Sequence, residues 1–119
     1  MTVSELLDIL FLMYKVNGSD SILYFQDEDG DFYTITILDC ESVKKCCALG
    51  IGNGETLDVF GMVYEISKQG NRRGDSSYYN DAILRVLNTN SNLVYEPIAE
   101  SFHLDDDGDF VIRMRCLNG

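Results

Sequence analysis

The sequence predicts an α+β domain: an antiparallel β-sheet of about five to six strands, with an N-terminal helix and one or two short helices packed on one face. Three observations predict it. A helix signature opens the chain, with Thr2 as N-cap and Glu5 three residues on. Tyr33, Ile35 and Ile37 alternate with Phe32, Thr34 and Thr36, the period of a half-buried strand. An acid-rich turn occurs twice, as Asp27-Glu28-Asp29-Gly30-Asp31-Phe32 and as Asp105-Asp106-Asp107-Gly108-Asp109-Phe110, changed at one position only. A helix followed by a hairpin of period-two strands favours antiparallel pairing over a βαβ design. The chain of 119 residues is expected to be one domain, residues 1–119. At that size folding removes roughly two-thirds of the unfolded surface from water, so a core forms without metal or disulfide.

Taken in order, the first helix spans residues 3–15, with Glu5 and Asp8 early and Lys15 late, each favourable to the helix dipole. Asn17-Gly18 stops it. From Ile9 to Tyr14 it is apolar on nearly every side, which predicts burial of both sides within the domain or contact with another subunit, and the core reading is preferred. Residues 22–26 and 32–38 form a hairpin, because Gly30 accepts the positive φ of a tight turn. Asp39 caps a short helix through Ser42, Val43, Cys46, Cys47 and Leu49. Gly50-Ile51-Gly52-Asn53-Gly54 follows. Its spacing and context fail the dinucleotide fingerprint, so it is a loop rather than a phosphate cradle. Residues 57–67 read as a strand and 68–77 as a polar loop carrying Arg72 and Arg73. Tyr79, Ala82, Ile83, Val86 and Leu87 fit a helix, in preference to a strand over 82–87. Residues 93–96 form a short strand ended by Pro97. The last hairpin pairs 101–104 with 110–116.

Composition restricts function. Twenty Asp and Glu oppose nine Lys and Arg, a net charge of −11. That balance excludes direct nucleic-acid binding and anionic-membrane binding, both of which need clustered cations. Met1 to Glu5 lacks the basic start of a signal peptide, and the apolar run is too short to span a bilayer. The expected compartment is a reducing cytoplasm with free thiols at Cys40, Cys46, Cys47 and Cys116. Those cysteines with His103 lack a CxxC pair and do not make a zinc set. No nucleophile or acid–base motif marks an enzyme, and no cofactor is expected.

The two acidic tips are the candidate site: Asp27, Glu28, Asp29 and Asp31 with Asp105, Asp106, Asp107 and Asp109. Clustered carboxylates repel one another, a cost that a basic partner relieves. If both tips converge, they present an anionic face resembling a phosphate array. A calcium module at the same loops is the alternative. Gly at the fourth place, Phe at the sixth, and Leu38 or Cys116 at the twelfth do not match the helix-loop-helix calcium loop. A third reading is a structural protein, a homodimer or larger assembly, formed through the apolar first helix.

Thr2-Val3-Ser4-Glu5-Leu6-Leu7, with Tyr24-Phe25 and the acidic turn at 27–32, resembles the opening of small uncharacterised phage and prophage proteins, in which a TVxEL helix leads into an acidic hairpin. The resemblance covers the first third of the chain and implies a phage origin in a bacterial host. Phage genomes carry small acidic inhibitors of host defence, anti-CRISPR proteins among them. The function expected is therefore a non-enzymatic inhibitor whose partner is a basic host protein, such as a nucleic-acid-binding protein or nuclease complex.

Overall fold

A computed structural model describes residues 1–39, 46–52, 54–73 and 82–119, with the backbone alone for 37–39, 46–48 and 68–73. Helix α1 (Val3–Asn17) starts as its sequence dictates: Thr2 Oγ1 accepts the Glu5 N–H at 3.2 Å, and Glu5 Oε1 accepts the Thr2 N–H at 3.1 Å. Gly18, at φ 89°, ends it and donates its N–H to the Tyr14 carbonyl. Val3, Leu6, Leu10 and Met13 are fully buried along one stripe. The expectation that the helix is buried on both sides is corrected, because Phe11, Leu12, Tyr14 and Val16 are all more than half exposed.

Six strands close into a barrel in sequence order: β1 (Leu23–Gln26), β2 (Phe32–Asp39), β3 (Cys46–Ile51), β4 (Ile83–Asn88), β5 (Val94–Leu104) and β6 (Phe110–Cys116). The expected strand number and N-terminal helix are present. The sheet is mixed rather than antiparallel, since β3–β4 and β1–β6 are parallel pairs. The two parallel pairs have one cause. Helix α2 (Val59–Arg73) lies between β3 and β4 in the chain, and a parallel pair requires such a crossover. One parallel pair among antiparallel neighbours shifts the alternation by one strand. A ring of six can then close only through a second parallel pair.

Three assignments from the sequence change. Residues 57–67, expected as a strand, belong mostly to α2. Val59, Met62 and Ile66 are buried at helical spacing, Phe60 and Tyr64 are exposed, and Asp58 Oδ1 caps the Gly61 N–H at 2.8 Å. The helix expected over 79–87 is instead strand β4, with Leu84 and Val86 buried and Ile83 and Leu87 outward; its beginning, 79–81, lies outside the described residues. The short helix after Asp39 gives way to β3 over its second half, and 40–45 lie outside the described residues. The expected polar loop at 68–77 is helical as far as Arg73, and 74–77 also lie outside. The two strands expected on either side of Pro97 are one, β5. Pairing with β4 covers only Val94 and Tyr95, so among the described residues Pro97 lies where β5 has β6 as its one strand neighbour.

One core fills the barrel and seats both helices, drawing Phe25, Ile35, Leu49, Ile51, Leu84 and Ile112 from the strands. β5 bulges between Ile98 and His103, where five steps along β5 answer two along β6. Ser101 bridges the gap: its hydroxyl donates to the Ile98 carbonyl at 2.6 Å and accepts the Arg113 N–H at 2.7 Å. Among the described residues, no helix is long and apolar enough to cross a membrane.

Candidate interaction site

Both acidic tips fold by the same local chemistry. In the first, Asp27 N–H donates to the Asp31 carbonyl and Gly30 N–H to the Asp27 carbonyl. In the second, Asp105, Asp109 and Gly108 repeat the pattern. Gly30 and Gly108 sit at φ 89° and 83°, the left-handed residue of a three-residue hairpin loop. The leading aspartate ties each turn. Asp27 Oδ1 accepts the N–H groups of Asp29 and Asp31 at 3.0 and 2.9 Å, and Asp105 Oδ1 accepts those of Asp107 and Asp109 at 3.0 and 2.8 Å. Asp27 and Asp105 are therefore turn organisers first. Replacing Asp105 with Ala should cost about 1–2 kcal/mol, the range of a lost side-chain cap. Asn keeps the accepting oxygen and should stay within about 0.5 kcal/mol of the parent. Urea midpoints check both, and equal losses for Ala and Asn would refute the turn-organising role.

The remaining acids differ in surroundings. Glu28 bends the first tip over the end of β6, its Oε1 accepting the Cys116 N–H at 2.7 Å where β6 has run past β1. Asp27 Oδ2 accepts the Tyr33 hydroxyl at 3.3 Å. Burial pushes the Tyr33 and Tyr95 hydroxyls above the ordinary phenol range, and the Asp27 charge raises both further. Beside this tip lies a hollow of about 440 Å³ that includes Arg113 and Arg115. Arg115 is engaged at 2.6 Å by Glu96, and that hydrogen bond holds the Glu96 carboxyl below the usual carboxylate range. Asp29, Asp31, Asp106, Asp107 and Asp109 are exposed.

The parallel β1–β6 pair decides how the tips relate. The first tip follows Gln26, which faces Arg113. The second precedes Phe110, which faces Leu23. The tips thus leave this pair at opposite ends, with about 10 Å of strand between them at ~3.3 Å per residue. The eight acids therefore leave the β1–β6 pair as two groups, one at each end.

The second group has company that the sequence alone did not reveal. Tyr24 of β1 and Phe32 of β2 lie diagonally across the hairpin and meet edge to face, 6.4 Å between ring centres. They share a hollow of about 260 Å³ with Asp105, Asp107 and Asp109. An adjoining hollow of about 290 Å³ is lined by Tyr24, Asp109 and Asp20. Three carboxylates of the second tip therefore share the hollow of one outward aromatic pair, with Phe32 53% exposed, and Asp20 stands in the adjoining hollow beside Tyr24. Asp20 and the two rings were missed as site residues. The available signal was an aromatic side chain at the outward position of a period-two strand, where a neighbour such as Thr34 is the ordinary choice.

Among the described residues, no group of three or more His, Cys, Asp or Glu is arranged to hold a metal ion. His103 is exposed, with Nδ1 2.7 Å from the Ser101 carbonyl. No protein-family model matches the chain, and no curated protein or solved structure matches it either.

Proposed function

We propose that this chain is a non-enzymatic binding protein that engages an arginine-rich surface of a basic partner through the second acidic tip and the Tyr24–Phe32 pair. The observation that carries this reading is the hollow shared by the two rings and the carboxylates of Asp105, Asp107 and Asp109. A guanidinium is planar and weakly hydrated. It can stack on an aromatic face while its N–H fork meets a carboxylate, which an ammonium does less well. The net charge of −11 steers such a partner towards the protein. The first tip, with Asp29 and Asp31 exposed, is a second and separate contact point. Proteins that handle nucleic acids carry arginine and lysine where phosphates dock. The partner class proposed is such a protein, inhibited by occupation of that surface; a phage inhibitor of a host defence nuclease fits the description.

Binding is measured by titrating labelled arginine-rich and lysine-rich peptides of equal length and charge. The arginine peptide should bind more tightly, and added salt should weaken both. Asp105→Asn/Asp107→Asn/Asp109→Asn should lose about tenfold or more, equivalent to ~1.4 kcal/mol, while the hairpin keeps its Asn cap. Undiminished binding by that variant would sink the proposal. Retention of a host protein at low salt and its release at high salt, identified by mass spectrometry, would then supply the natural partner.

A further inference from the structure

We infer that the chain self-associates as a two-fold dimer through an aromatic face made by α1 and α2. On α1, Phe11 and Tyr14 stand on the flank of the buried stripe that faces α2. On α2, Phe60 and Tyr64 lie one turn apart, ring centres 6.5 Å apart and planes 18° from parallel. Between the helices runs an apolar groove of about 190 Å³, its walls including Leu10, Val59 and Val63. Among the described residues, no Asp, Glu, Lys or Arg lines it.

The area is what selects a second copy as occupant. The four rings are 54–67% exposed. At about 200 Å² per aromatic side chain they present roughly 470 Å² of apolar surface, the size of the largest, often functional, patch on a monomer. Complete burial of these rings in both copies removes about 950 Å², close to the ~1,000 Å² that marks a specific interface. Shape agrees. The Phe60–Tyr64 ridge borders the groove on the same face, so a two-fold axis sets each ridge in the partner's groove, the self-complementary form of a dimer contact. Two helices from each copy then make a four-helix layer. The described lining of the groove offers a charged partner no counter-charge, whereas an identical apolar groove meets its match.

The test is sedimentation equilibrium of the full chain across concentration and salt. The parent should approach twice its 13.4 kDa with rising concentration. Because each copy carries −11, added salt should strengthen the association. That is opposite to its effect on the arginine-peptide binding proposed above, so the two readings fail separately. Phe60→Glu/Tyr64→Glu should be monomeric with an unchanged far-ultraviolet spectrum. If that pair of changes impairs folding, Phe11→Gln/Tyr14→Gln on the other helix carries the same expectation. A parent that stays monomeric at every concentration overturns the inference, as does a dimer that survives substitution on a folded variant.

Discussion

Phe25→Ala is expected to remove about 3–5 kcal/mol of stability, the range for deleting a buried aromatic side chain and leaving its cavity. Phe25 is 0% exposed and heads the fully buried side chains by volume. It stands at the middle of β1, facing Tyr33 on one neighbour and Ile112 on the other. β1 has four residues, yet it joins the two ends of the sheet. Both junctions of the barrel at β1 run through this one short strand, so a cavity there loosens closure as well as packing. A domain stable by 5–15 kcal/mol loses a large part of its margin. Tyr24→Ala, one residue away with its ring outward, removes an edge-to-face contact of about 0.5–1.5 kcal/mol and should cost far less. Chemical denaturation of both variants reads the difference. Equal losses would mean that β1 does not present Phe25 to an enclosed interior, and the closed barrel would be wrong.

Ile66→Ala should cost about 2–5 kcal/mol, and Tyr64→Ala in the monomer only its ring contact with Phe60, about 0.5–1.5 kcal/mol. The pair tests the largest difference between sequence and structure. As a strand, residues 57–67 would place Tyr64 and Ile66 on the same side, and their truncations would cost similar amounts. On α2, Ile66 is buried with Val59 and Met62 while Tyr64 is 57% exposed. Circular dichroism and urea midpoints on the two variants decide between the periods. The outcome also bears on the dimer face, which needs Phe60 and Tyr64 outside the core.

The misreading of α2 and β4 has a physical origin. Val59-Phe60-Gly61-Met62-Val63-Tyr64 is apolar often enough to satisfy both the two-residue and the 3.6-residue period, and Ala82-Ile83-Leu84-Arg85-Val86-Leu87 does the same. The cap at Asp58 was the signal that could have chosen helix for the first. For the second, nothing local decides. β4 is a strand because it pairs with β3 and β5, and the first of those partners is more than thirty residues away.

The elements legible along the chain are those that short-range forces control. The capping box of α1, the stop at Gly18 and both acidic turns with their left-handed glycines are interactions among residues a few positions apart. Tertiary structure alone decided closure of the barrel, its two parallel pairs and the sorting of eight acids into two groups. It also decided the placement of Asp20 and the second tip beside Tyr24 and Phe32. Those outcomes depend on which distant strand supplies the missing hydrogen bonds and covers the apolar face. Composition and spacing along the chain do not encode that choice locally; the folded barrel makes it by burying one shared core.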